Sequence, residues 1–249
     1  MRKGLELLFC DLNRTNYDEC HDLMLRLVEL RSSGAIGDVV LLTEHGHVYT
    51  LGRHAKPEQV TNRSVPIRAV ERAGGPTYHG PGQLVAYPII RLSDREIGAA
   101  DLVRLVEASV VSVLRRLGLQ SEAGSPIGRA GVWVNGRKIA SIGMAVRGGV
   151  SFHGVALNVS VELAMFYGIM PCGMSPDLMT SIERELGRSV DMNDVKRLFV
   201  REFSEALAAV PIEVQGRYLS TWTKLTGSTE RTPSDGTDIG SSPNVRMSS

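Results

Sequence analysis

Two turn signals, Asn135-Gly136 and Gly148-Gly149, divide residues 131–158 into three runs: GVWV, RKIASIGMAVR and VSFHGVALN. Asn-Gly and Gly-Gly are pairs that accept positive φ at both central positions of a two-residue hairpin turn. The spacing therefore predicts three consecutive antiparallel strands. Such a meander is incompatible with a helical bundle. It leaves the amphipathic helices elsewhere in the chain to cover a sheet.

Further strands are expected at Leu5–Phe9, at 38–44 and 47–52 (joined by a short His-Gly turn), at 67–70 and over LVAYPII. Pro88 marks that last strand as an edge or a bulge. The periodicity predicts helices from Thr15 or Asn16 to about Arg31, from Asp101 to Leu117 and from Asp191 to Ala209. Residues 175–186 fit one short helix. The expected fold class is α+β, a mixed or antiparallel sheet covered by helices. Residues 1–225 would form a single catalytic domain and 226–249, nearly devoid of apolar residues, a disordered tail.

Composition narrows the function. With 249 residues, 43% hydrophobic, the chain can bury a full core. A formal net charge of +1 gives no general attraction to nucleic acid or an anionic membrane. Cys10, Cys20 and Cys172 make neither a disulfide framework nor a C-x-x-C motif. No signal peptide or membrane-length apolar run is seen, so a cytoplasmic location is expected. Phosphate-loop, dinucleotide, serine-hydrolase and zincin motifs are missing. His45, His47 and His54 lack a cysteine or acidic residue at ligand spacing, so no metal is expected.

Chemistry concentrates in three places. Cys172, in PCGM, sits between Pro and Gly, which keep it off regular structure. A nearby cation would favour its thiolate. Lys138 lies just after a hairpin turn, on a strand whose Ser141 and Gly143 permit close approach. The glycine-rich stretch from Gly75 to Gly82, carrying Tyr78 and His79, reads as a tightly bent backbone whose N–H groups would polarise a carbonyl. We expect Lys138 and Cys172 to meet, with the cysteine as an acyl-carrying nucleophile. His79 or His153 is the alternative base. Cys10 and Cys20 read as core.

Four blocks, EHGHVYTLGR, RAGGPTYHGPGQLVAYPI, GVWVNGRKIASIGMAVRGGVSFHGVALNV and PCGM, occur in an order that resembles the octanoyltransferases of lipoate biosynthesis. The resemblance implies a biotin/lipoate protein ligase-like fold. It also implies transfer of an octanoyl or lipoyl group from acyl carrier protein to a lysine of lipoyl domains, without ATP or another cofactor. Those acceptors would be domains of 2-oxoacid dehydrogenase complexes or the glycine cleavage H protein. On the same basis Cys172 would carry the acyl group as a thioester. Lys138 would lower the cysteine's pKa and serve as acid and base. The substrate pocket would be lined by Arg72, Ala73, Gly74, Gly75, Pro76, Thr77, Tyr78 and His79. Ser141, Ile142 and Gly143, then Gly154, Val155 and Ala156, would complete it. Ala73 stands where the family has glycine, a difference that bears on chain-length preference. Met144, Val146, Val155 and Leu157 are candidates for an acyl tunnel. A monomer is expected. The rivals are an ATP-dependent lipoate or biotin ligase on the same fold and a non-catalytic binder of acyl carrier or lipoyl domains.

Overall fold

The computed structural model describes residues 5–124, 130–170 and 175–215, all belonging to one compact unit. The expected meander is present. Strands β8 (Gly131–Val134), β9 (Arg137–Arg147) and β10 (Val150–Asn158) pair antiparallel in sequence order. Asn135 and Gly136 take φ of 49° and 74°, and Gly148 and Gly149 take 56° and 75°, as such two-residue turns demand.

The other long strands are β1 (Glu6–Thr15), β2 (Asp38–His45), β6 (Gln83–Ile89) and β11 (Val210–Gln215), with a short β7 (Glu122–Ala123). They join the meander in one eight-stranded sheet of order β11-β1-β2-β6-β10-β9-β8-β7. β1 pairs parallel with both β2 and β11, and the remaining pairs are antiparallel, so the sheet is mixed. A second sheet holds β3 (Val48–Leu51), β4 (Ile67–Ala69) and β5 (Pro76–His79) in the order β4-β3-β5. The strands at 38–45 and 48–51, adjacent in sequence, thus lie in different sheets.

Helix α1 (Tyr17–Ser33) starts at Asn16, whose side chain accepts from the Asp18 and Glu19 amides, and stops at Gly34 with φ 81°. Its buried face is Cys20, Met24, Leu27 and Val28, while Leu23 and Leu30 are only partly buried. Helices α2 (Ala99–Arg116) and α4 (Met192–Ala206) pack together over the opposite face of the large sheet. There Leu102, Val106, Val110, Val113, Phe199 and Phe203 meet Leu7, Phe9, Val40, Leu42, Leu84 and Leu157. Each such side chain, fully buried, contributes roughly 1.5–3 kcal/mol.

Several local expectations are corrected. β6 lies between β2 and β10, so Pro88 is not on an edge. The bulge alternative fits. Continuing the register that pairs Ala86 with Val155 would put His153 opposite Pro88. His153 has φ 56°, and its amide donates to the Met24 sulfur at 3.2 Å instead of to β6. The ladder is interrupted where proline has no N–H to contribute. Residues 76–79, expected within a bent loop, are strand β5, and the turn follows at residues 81 and 82. Residues 175–186 form a 3-10 turn at Pro176–Leu178 and the short helix α3 (Ile182–Leu186), not one helix. Residues 226–249 lie outside the described residues. No helix among the described residues is long and apolar enough to cross a membrane.

Candidate active site

Lys138 owes its orientation to an irregularity in β9. Val132 pairs with Ala140, but Trp133 pairs with Lys138, leaving Ile139 as an extra residue. Strict alternation would put Lys138 on the same face as Ala140 and Met144, which is the α2/α4 core. The bulge reverses the parity. Ile139 and Ala140 both enter the core cluster, while Lys138 turns to the opposite face with Ser141 and Gly143. The lysine is 2% exposed. Its Nζ donates to the Ala130 carbonyl at 3.2 Å and lies 5.7 Å from the centre of the Trp133 ring. Its own carbonyl accepts from the Thr180 amide at 3.0 Å.

That face of the sheet borders a cavity of about 420 Å³, inside the range of small-molecule sites. Lys138, Ser141, Ile142 and Gly143 line it from β9, and Gly154, Val155 and Ala156 from β10. Arg72, Ala73, Gly74, Gly75, Thr77 and His79 form the facing wall. Of the expected pocket residues, Pro76 and Tyr78 are not on the wall. Tyr78 packs instead with Tyr49, Val60 and Phe166, its hydroxyl 2.6 Å from His47 Nδ1. The proposed tunnel is also corrected. Met144 and Leu157 belong to the α2/α4 core, Val146 is 45% exposed, and only Val155 borders the cavity.

The wall is stapled by Arg72. Its guanidinium donates to the carbonyls of Ala73, Gly75 and Thr50 and to Thr50 Oγ1, at 2.8–3.1 Å. The segment then runs so close to β9 that a Cβ on Gly143 would sit 3.0 Å from the Ala73 carbonyl oxygen. The approach that Gly143 permits is therefore made by the chain itself. Gly154 is likewise required by its neighbour: a Cβ there would lie 2.1 Å from the Ala86 carbonyl oxygen.

His79 and His153 are neutral. Burial pushes His79 down to about 3, and Nδ1 sits 2.8 Å from Gln83 Oε1. Burial likewise lowers His153 to about 4, against the pull of Glu71. Burial would raise Glu71, but hydrogen bonds from its own amide, His21 and His153 outweigh it and leave the carboxyl at about 2. As proton acceptors at neutral pH, His79 and His153 are weak. His21, Glu71 and His153 are close enough to hold a metal ion. Yet both imidazole Nε2 atoms converge on the same Oε2, at 3.0 and 3.2 Å, while Arg147 lies 3.5 Å from Oε1. That is the pattern of a carboxylate satisfied by two imidazole N–H donors and a cation.

Tyr17, His54, Gln59, Val85, Tyr87, Ala130 and His153 also border the cavity. Of these, His153 stands out in the sequence as a candidate base and His54 only as a rejected metal ligand. Tyr17 hides as the first residue of α1, and Tyr87 as an apolar-looking position of a strand. Cys172 lies outside the described residues. The described residues on either side of it are placed by the cavity walls: the Met170 amide donates to the carbonyl of Gln59, and Met179 bridges to Lys138.

The sequence profile of the lipoyl protein ligase A/B catalytic domain matches residues 16–204. The chain belongs to that family. A probable octanoyltransferase of Pyrobaculum arsenaticum is 44% identical over 184 residues, covering 74% of this chain and 84% of the relative. The octanoyltransferase of Syntrophobacter fumaroxidans is 40% identical over 210 residues, covering 78% and 91%. The fold agrees with the family. Lipoate-protein ligase A bound with ATP superposes with a TM-score of 0.67 at 17% identity, over 89% of this chain and 94% of that one. The biotin protein ligase of Aquifex aeolicus, in complex with biotin and ATP, reaches 0.52 at 13% identity, over 82% and 70%. In this lipoyl ligase family member, the expected mixed-sheet, ligase-like α+β fold is therefore present.

Proposed function

We propose that this chain transfers an octanoyl or lipoyl group from acyl carrier protein to a specific lysine of lipoyl domains, through a thioester on Cys172. The chain is an acyltransferase of the lipoate-ligase-like family, in line with its octanoyltransferase relatives. The observation that carries the reading further is a buried lysine turned by a bulge onto the wall of a largely apolar cavity. Transfer of the acyl tail from water into such a cavity is worth up to roughly 6 kcal/mol, at about 0.8 kcal/mol per methylene.

The chemistry follows from a thiolate–ammonium pair. The Cys172 thiolate attacks the carrier thioester, forming a new C–S bond. The carrier sulfur departs and takes a proton from the Lys138 ammonium. Lys138, now a neutral amine, accepts a proton from the acceptor lysine as that amine attacks the acyl-enzyme. The Cys172 thiolate is expelled and the starting pair is restored. Each positioned proton transfer is worth about 10²–10⁴ in rate.

Intact-mass spectrometry after incubation with octanoyl carrier protein tests the assignment. The wild-type chain gains one octanoyl group and Cys172→Ala none. An adduct on Cys172→Ala would remove Cys172 from the mechanism. Transfer from the loaded enzyme to a lipoyl domain then tests the acceptor, and the oligomeric state of the loaded enzyme tests the expected monomer.

A further inference from the structure

The Ala130–Gly131 peptide joins the site to helix α2. Its carbonyl accepts from Lys138 Nζ at 3.2 Å, and its N–H donates to Glu107 Oε1 at 2.9 Å. Glu107 is 8% exposed, so its carboxylate acts from within a medium of low polarity. Gly131 has φ 149°, and a Cβ there would lie 2.6 Å from Lys138 Cε and 2.7 Å from the Ala140 carbonyl oxygen. A carboxylate, a peptide and an amine thus stand in line, with the lysine chain lying directly on the glycine.

We infer that Glu107 is a positioning residue for Lys138, acting through the Ala130–Gly131 peptide. A carboxylate on a peptide N–H polarises that peptide and makes its carbonyl a stronger acceptor. The stronger acceptor favours the ammonium form of Lys138 and fixes its direction. Resting on the acid–base reading of Lys138, this gives that reading a source for the starting ammonium. Other charged or titratable groups near the lysine come from several elements. The cavity wall brings Arg72, His54 and neutral His79. β7 brings exposed Glu122, and the 3-10 turn before α3 brings Asp177, engaged with Tyr167 and Ser175. Glu107 differs from these in reaching Lys138 through one shared peptide.

The chain has five lysines, so ¹³Cε-lysine labelling gives a spectrum in which Lys138→Arg identifies the Lys138 resonance by its loss. Glu107→Gln keeps the size and the acceptor for Gly131 but removes the charge. We expect the titration midpoint of Lys138 to fall by roughly half a pH unit or more in Glu107→Gln. Acyl-enzyme formation at neutral pH should slow by roughly five- to tenfold. An unchanged midpoint in Glu107→Gln overturns the inference. If that variant does not fold, Glu107→Asp, which withdraws the carboxylate by one methylene, is titrated in its place and judged the same way. A lowered midpoint whose effect is not followed by the pH profile of acyl transfer upholds the role of Glu107. It removes instead the acid–base reading of Lys138.

Discussion

Gly131 lies against the side chain of Lys138 so closely that a single added methyl would stand 2.6 Å from its Cε. The contact joins the first residue of one meander strand to the second residue of the next. It means that the lysine's path is set by the absence of a side chain opposite it. Gly131→Ala, whose methyl also meets the Ala140 carbonyl oxygen at 2.7 Å, should therefore lower stability and displace the amine. A displacement of about 1 Å costs on the order of 10²-fold in rate. Single-turnover acylation, with circular dichroism as the control for folding, measures this, and a rate within twofold of wild type would refute it.

Acid should destabilise the fold through its buried imidazoles. Burial lowers His79 to about 3 and His45 and His153 to about 4, from an ordinary value near 6.5. Between those limits the unfolded chain binds more protons than the native one. Stability is thus full above pH 6.5 and is lost as pH falls toward 4, by up to about 1.4 kcal/mol per unit per histidine. Glu71, held at about 2, adds a loss that begins below its ordinary 4.5. Melting temperatures measured from pH 7.5 to 4.5 should fall steadily, and less steeply for His45→Gln. A flat curve from pH 7 to 5 would contradict the neutral, buried state of these rings.

Removing the Arg72 staple should loosen the cavity wall. Arg72→Met leaves the Ala73, Gly75 and Thr50 carbonyls without the guanidinium. Each lost charge-assisted bond is worth about 1.5–3 kcal/mol. The expected result is a KM for octanoyl carrier protein raised roughly tenfold, since wall geometry governs binding before chemistry. A changed turnover number with unaltered KM would assign Arg72 a different part.

The Asn135-Gly136 turn offers a contrast. Gly136 has φ 74° with nothing within 4 Å of where a Cβ would be, so Gly136→Val meets backbone strain and no collision. A cost of about 1–3 kcal/mol is expected. In a chain of this size that lowers the melting temperature by roughly 2–12 °C, with octanoyl transfer per folded molecule unchanged. Calorimetry and a rate assay at low temperature separate the two effects.

What could be read from the residues alone divides along physical lines. The meander was readable because turn chemistry is local: Asn135-Gly136 and Gly148-Gly149 state their own geometry. Helices α2 and α4 were readable because one face of each is continuously apolar. Strand β11 was not, since its parallel partner β1 lies at the other end of the chain. Within the site, most of the segment singled out by its family pattern borders the cavity, while Pro76 and Tyr78 do not. The tunnel was misread for a different reason. Met144 and Leu157 sit in strands covered on both faces, where apolarity does not say which face a residue occupies. Glu107 was invisible, because nothing along a helix reports that one of its carboxylates caps a peptide of a distant strand.

The extra residue in β9 has a consequence for how this chain can vary. Deleting the Ile139 codon would restore an unbroken two-residue alternation without disturbing the Asn135-Gly136 turn or the register beyond Ala140. Lys138 would then stand next to Ala140 and keep the cavity face, since neighbours in a strand point to opposite faces. A residue added to β8 between Val132 and Trp133 has the other effect: it would give Ile139 a partner and turn the amine of Lys138 into the hydrocarbon layer beneath α2, so a copy with a lengthened β8 would fold and fall silent.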